Sequence, residues 1–213
     1  MSFDVDVELR RGDFLLKAAF RAEAGLTALF GPSGAGKTSV LNMIAGVLKP
    51  ARGRIAAEGV VLFDSAAGID LKPEVRRVGY IFQDARLFPH MSVEANLLYG
   101  HALNTADRYA TPDQIIDLLG IRPLLARRPA SLSGGEQQRI AFGRAILASP
   151  RLLLMDEPLA SLDDARKQEI LPYIERLRDE LKIPILYVTH ARAEVDRLAA
   201  AIVTIENGRV LGD

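Results

Sequence analysis

The chain has 213 residues, 49% of them hydrophobic and 25% charged, enough apolar material for a sizeable core and too much for a disordered chain. Lys+Arg and Asp+Glu number 27 each, for a formal charge of +0, which argues against a broad basic surface for nucleic acid. No cysteine is present, which excludes a disulfide framework and a thiolate metal site.

The N-terminus, MSFDVDVELRRGDF, alternates apolar and acidic residues and lacks the basic start and apolar block of a secretory signal. Residues 3–9 and 13–20 read as strands joined by a turn at Arg11-Gly12. LTALF at 26–30 reads as a short buried strand running into GPSGAGKT, Gly31 to Thr38. That stretch fits G-x-x-x-x-G-K-[ST], and a helix from Thr38, closed by Gly46, is predicted to follow it. Glycines at 31, 34 and 36 let the backbone turn its amides toward phosphate oxygens, and the helix adds its positive end. Lys37 would reach the β- and γ-phosphates and the Thr38 hydroxyl a Mg²⁺ ion. No N-K-x-D guanine-reading motif follows, which favours ATP over GTP.

Residues 53–64 look like a hairpin turning at Glu58-Gly59, and VGYIF at 78–82 like another strand, with Gln83 at its end. Between Gln83 and Pro150 strand patterns give way to helical ones at 93–99, 112–119 and 135–148, a helical insertion between strands of an α/β core. Within it lies a second glycine turn, SLSGGEQQR at 131–139. Ser133 with Glu136 three residues on is a capping box, but Gly134 and Gly135 exceed what a cap needs. Bare backbone at a helix N-terminus suits a second γ-phosphate contact.

The core pattern resumes with RLLLMDE at 151–157. No apolar run approaches the roughly 18 residues that span a bilayer, and the compact run Leu152 to Met155 reads as a strand buried on both faces. Any membrane-spanning part is therefore expected from another chain. Asp156 would emerge beside the nucleotide as a Mg²⁺ ligand, and Glu157 as the general base for the attacking water. A helix at 164–181, a strand at 185–189 ending at His190, a helix at 191–199 and a hairpin at 201–211 turning at Asn207-Gly208 complete the chain. His190 would reach the γ-phosphate and the same water; Gln83 would link the nucleotide to the helical lobe.

These motifs, in this order and over essentially the whole chain, resemble the nucleotide-binding subunits of ABC transporters. GPSGAGKT corresponds to the Walker A loop, Gln83 to the Q-loop, LSGGEQ to the signature, LLLMDE to Walker B, Ser161-Leu162-Asp163 to the D-loop and His190 to the switch histidine. The resemblance implies an α/β P-loop NTPase core of RecA type, with an N-terminal antiparallel β subdomain and the helical insertion. It implies one ABC ATPase domain over 1–213, with 1–82 and 151–213 as core, 83–150 as helical subdomain and no C-terminal regulatory domain before the chain stops at Asp213. ATP would be held by Gly31, Pro32, Ser33, Gly34, Ala35, Gly36, Lys37, Thr38 and Ser39. Mg²⁺ would be held by Thr38, Gln83 and Asp156, with Glu157, His190 and Gln83 catalytic. Two subunits would pack head to tail, so that Ser133, Gly134, Gly135 and Glu136 serve the partner's ATP. The other partners would be two membrane permease subunits docking on the 83–150 lobe and, indirectly, an extracytoplasmic solute-binding protein, placing the chain on the cytoplasmic face of the membrane.

RRVGYIFQDARLFPHMSV, LYGH, DEPLASLD and LYVTH are similar, more narrowly, to ATPase subunits of molybdate importers; importers of sulfate, iron or polyamines share much of the pattern. The family's adenine-stacking aromatic is missing near Leu9, leaving Phe14 as nearest candidate and Phe3 as a weaker one. Competing readings are a soluble ABC ATPase acting on nucleic acid or ribosomes and a non-hydrolysing nucleotide sensor. A membrane partner requires the apolar stretch at 86–93 to be exposed.

Overall fold

A computed structural model describes residues 2–23, 25–103, 108–181 and 183–211. β1 (Ser2–Arg11) and β2 (Phe14–Glu23) form an antiparallel pair. Along β1 the alternation is literal: Phe3, Val5, Val7 and Leu9 are buried, while Asp4 and Glu8 stand opposite Arg21 and Lys17 of β2. The Glu8 carboxylate lies 2.7 Å from Lys17 and 2.7 Å from Arg52, and Asp4 lies 3.6 Å from Arg21. Opposite charges facing each other across a strand pair set its register.

β3 (Leu26–Phe30) leads through the first glycine loop into α1 (Lys37–Ala45). β4 (Arg52–Ala57) and β5 (Val60–Asp64) form the expected hairpin, and the short β6 (Ile69–Asp70) closes that edge. α2 (Pro73–Arg76), a single turn, precedes β7 (Val78–Ile81). Neither β6 nor α2 is expected from the sequence; two- and four-residue elements carry no period to read. Arg76 explains the second. Its guanidinium is 1% exposed and donates to the carbonyls of Met43 and Ile44 at the end of α1 (2.7 and 2.9 Å), to Leu71 O (2.7 Å) and to Asp70 (3.0 Å). It caps the helix that begins at the glycine loop, where a cation meets the negative end of the dipole.

The described part of 83–150 holds α3 (Val93–Leu103), α4 (Pro112–Leu118), α5 (Gly134–Leu147) and two single 3₁₀ turns. β8 (Leu152–Asp156), α6 (Asp164–Leu181), β9 (Ile185–Thr189), α7 (Arg192–Leu198), β10 (Ala201–Glu206) and β11 (Arg209–Leu211) follow. Among the described residues all strands join one sheet, ordered β6-β5-β4-β1-β2-β11-β10-β3-β9-β8-β7. It is antiparallel from β6 to β2 and in the β10–β11 hairpin, and parallel between β2 and β11 and from β10 to β7.

β8 and β9 are apolar at every core position because both their faces are covered. Leu154 and Val188 join a core with α1 and the antiparallel strands, while Leu153, Met155, Ile185 and Tyr187 join a second core with α5 and α6. No described helix is long and apolar enough to cross a membrane.

Candidate functional site

Three neighbouring parallel strands end level with one another. Phe30 of β3 pairs with Thr189 of β9, and Val188 of β9 with Asp156 of β8. The next residues along, Gly31, His190 and Glu157, therefore leave the same edge of the sheet, where ligands bind in open α/β folds. Ile81 of β7 pairs with Met155, which brings the Phe82-Gln83 turn to that edge as well.

Gly31, Gly34 and Gly36 take φ of 156, 80 and 104, so the loop curls as its composition demands, and Gly36 caps α1 in the left-handed region. Lys37, 4% exposed, is wrapped by this loop and donates to Gly31 O and Pro32 O, both at 2.8 Å. Its ammonium is also 3.9 Å from Glu157 Oε1. Thr38 Oγ1 donates to Asp156 Oδ1 at 3.0 Å. The Tyr80 hydroxyl stands 3.2 Å from Asp156 Oδ2 and 3.2 Å from Asn42 Oδ1. Glu157 sits at φ 46, a conformation that non-glycine residues rarely adopt, with its N–H on Val188 O at 3.0 Å. Its other oxygen, Oε2, meets His190 Nδ1 at 3.0 Å.

Burial pulls the Lys37 pKa below its ordinary value, opposed by the charges of Glu157 and Asp156. Burial likewise pushes Asp156 up, opposed by the hydrogen bonds from Thr38 and Tyr80. A cation and two carboxylates thus meet at one sheet edge. The cleft there, about 200 Å³, is lined by Ser33, Gly34, Gly36, Lys37, Thr38, Ser39 and Glu157. Pro32 and Ser33 are exposed, and Ala35 is buried. Oxygen donors from a hydroxyl and a carboxylate at 3.0 Å are the type a hard divalent cation takes. Tyr80 and Asn42 carry no motif that would have announced them; a tyrosine on a buried strand requires a hydroxyl partner, and that is the one available signal.

The second glycine turn forms as the capping box predicts: Ser133 N–H donates to Glu136 Oε2 (2.7 Å) and Glu136 N–H to Ser133 Oγ (3.3 Å). Gly134 has a packing reason too, since a Cβ there would lie 3.1 Å from Leu162 Cδ2. The turn borders its own cleft of about 270 Å³, which includes Ser133, Gly135, Glu136 and Arg166 and shares no lining residue with the Lys37 cleft. Within one chain the two glycine turns line separate clefts. Ser161 is exposed, Leu162 is buried under Gly134, and Asp163 Oδ1 accepts the Arg166 N–H at 2.9 Å at the start of α6. A larger hollow, about 380 Å³, includes Asp6, Glu8, Lys17 and Arg209 and touches none of the predicted site residues.

Gln83 is exposed just past β7, and α5 holds the main chain on either side: Gln138 donates to Phe82 O (3.3 Å), and Arg144 to Ala85 O (3.2 Å) and Arg86 O (2.9 Å). The apolar stretch at 86–93 is divided. Val93 is fully buried and Leu87 packs on the core. Phe88 and Met91 are half-buried, and the Phe88 ring lies 4.7 Å from that of Tyr99, itself exposed. Of the aromatic candidates, Phe14 is 37% exposed and borders the glycine loop, its Cζ 3.5 Å from where a Gly36 Cβ would be. Phe3 is 1% exposed and packed edge-on against Phe20; it belongs to the inward face of β1 and reaches no ligand.

The profile of the ABC transporter family matches residues 19–160. A molybdenum import ATP-binding protein of Mesorhizobium japonicum is 63% identical over 212 residues, covering 99% of this chain and 57% of that protein. Its namesake in Rhodospirillum rubrum is 60% identical over 208 residues, covering 97% of this chain and 56% of that protein. The chain thus spans a little under three fifths of the curated relatives it matches. Among solved structures, cbiO1 of Clostridium perfringens, part of the ABC transporter complex cbiONQ, superposes with a TM-score of 0.81 at 27% identity, covering 99% of this chain and 86% of that one. A dimeric ATP-binding cassette bound to ADP and Pi shares the fold with a TM-score of 0.77 at 22% identity, covering 100% of this chain and 97% of its own. With most of its length matched by the family profile and its loop, strand-end and helix-cap motifs in the order described, this chain belongs to the ABC transporter family.

Proposed function

We propose that this chain is the ATP-hydrolysing subunit of an ABC importer and that its solute is molybdate or tungstate. The observation that carries the ATPase reading is the convergence of Lys37, Glu157 and His190 with the Thr38–Asp156 pair on one sheet edge. In this reading the loop amides and Lys37 bind the phosphates, Ser39 and the loop residues 31–36 complete the cradle, and Phe14 stacks on adenine. Thr38, Asp156 and Gln83 would hold Mg²⁺, which when bound neutralises phosphate charge. His190 holds Glu157 Oε2, leaving Oε1 to take the proton of the attacking water.

Ser133, Gly134, Gly135 and Glu136 would close over the ATP of a second copy, with Ser161 to Asp163 at the same interface. The absence of any shared lining between the two clefts supports this arrangement. The 83–150 lobe would act as a helical subdomain, its half-exposed Phe88, Met91 and Tyr99 meeting membrane permease subunits at the cytoplasmic face. The names of the relatives support molybdenum as the element carried; sulfate, iron and polyamine importers are the alternatives.

Reconstitution in liposomes with the permease and solute-binding protein tests the proposal. With ATP inside, molybdate or tungstate should be taken up. Uptake of sulfate, iron or a polyamine instead would reject the solute and keep the ATPase, whereas no ATP hydrolysis by the assembled complex would reject both.

A further inference from the structure

Glu194 of α7 is 6% exposed and has no part in the chemistry above. Its Oε2 accepts two hydroxyl protons, from Tyr187 and from Thr189, each at 2.8 Å. Its Oε1 lies 3.7 Å from Lys167 Nζ. Burying a carboxylate is unfavourable unless it is paired and hydrogen-bonded, and an apolar side chain would fill the same space. The partners show what the carboxylate accomplishes.

Tyr187 and Thr189 both belong to β9, and Thr189 is the last residue before His190. The Thr189 hydroxyl also accepts the Ala191 N–H at 3.0 Å, closing a turn around His190. A hydroxyl rotates freely until its proton is committed. Donation to Glu194 commits it and leaves a lone pair for Ala191. The His190 side chain is 58% exposed, so its aim at Glu157 depends on this turn rather than on packing.

We infer that Glu194 is a positioning residue that aims His190 at Glu157 by fixing the Thr189 hydroxyl that closes the turn around it. The inference rests on the proposed role of His190 in hydrolysis. Glu194 touches no reacting atom.

Glu194→Ala, Glu194→Gln and Thr189→Val test it by ATPase kinetics and by ¹H–¹⁵N spectra of the imidazoles. The chain has three histidines, so His90 and His101 serve as internal references. In Glu194→Ala and Thr189→Val kcat should fall about tenfold or more with KM within about twofold, as expected for a misplaced catalytic group. The His190 signals should shift while the other imidazoles stay in place. Glu194→Gln, whose amide oxygen still accepts both hydroxyls, should keep the His190 signals and most of kcat. Unchanged His190 signals, unchanged kcat, or a common shift of all the histidines would each overturn the inference. The spectra need no turnover, so a wild-type protein without ATPase would sink the hydrolytic reading while the aim of His190 is still judged.

Discussion

His190 Nδ1 and Glu157 Oε2 lie 3.0 Å apart although they leave different strands. Glu157 reaches this position at φ 46, with its second oxygen turned toward Lys37 at 3.9 Å. A carboxylate held from both sides at a strand end is placed to receive a proton, and its removal has a defined consequence. Glu157→Gln should bind ATP with near wild-type affinity and hydrolyse it more slowly by roughly 10²–10⁴-fold, the usual contribution of a general base. Equilibrium binding of ATP alongside steady-state hydrolysis checks this; a variant that keeps most of its turnover places the base elsewhere.

The separation of the two clefts predicts complementation. Lys37→Ala loses the phosphate cradle and keeps the Ser133 turn; Ser133→Arg keeps the cradle and blocks the turn. Each homodimer then holds only broken shared sites, whereas a mixed dimer holds one with both faults and one with neither. ATP bound only by the closed pair stabilises it by mass action. Mixing the inactive proteins should restore part of the ATPase, rising with concentration, and light scattering should show ATP-dependent association. Zero activity with no association, where wild type shows both, would count against sites shared between copies.

The Phe88 patch predicts a partner-specific defect. Phe88→Glu and the more exposed Tyr99→Glu should leave basal ATPase of the isolated chain within about twofold, as surface changes remote from chemistry do. Both should fail to co-purify with the permease. Normal assembly of Tyr99→Glu moves the docking face elsewhere.

The outer face of the antiparallel sheet predicts a pH effect. Arg52 first, then Lys17, hold the Glu8 carboxyl down at about 2 from an ordinary 4.5. An acid whose pKa is depressed on folding stabilises the fold above its unfolded pKa and loses that contribution as pH falls through the folded one. Glu8→Gln should therefore be less stable than wild type at neutral pH, and the gap should narrow from pH 4.5 toward about 2. Urea unfolding across that window reads it directly. A gap that does not narrow with acid would show that the pair of cations does not act on Glu8.

Much of this architecture was legible in the chain. The strands at 26–30 and 185–189 and the helix at 164–181 stand at their predicted bounds; the strands are apolar runs flanked by glycine or proline, and the helix places Ile170, Leu171, Ile174 and Leu177 on one buried face. The glycine loop, the Asp156-Glu157 pair and His190 were legible as candidates because their spacing relative to strand ends is a chemical requirement. Tyr80, Asn42, Thr189 and Glu194 were not. Their bonds exist only because β7 lies beside β8 and α7 folds back on β9, and no local pattern records which strands become neighbours. Phe3 could have been excluded from the alternation of β1, which sends it inward with Val5 and Val7.

Arg76 and Gly46 have a consequence for how this sequence can change over generations. A Cβ at Gly46 would lie 2.6 Å from Arg76 Nε and 2.8 Å from its Cζ, and Gly46 also stands at φ 81, which only glycine adopts without strain. Position 46 thus disfavours any side chain, by its φ alone and further by the close approach of Arg76. Replacing Arg76 first takes the side-chain donor from Ile44 O and leaves Met43 O with only the Gly46 N–H at 3.2 Å, so a buried acceptor goes unpaired. Either order of mutation passes through a damaged intermediate. The coupling runs one way: Gly46 is held by its own φ whatever occupies 76, whereas a side chain at 46 would displace the Arg76 guanidinium.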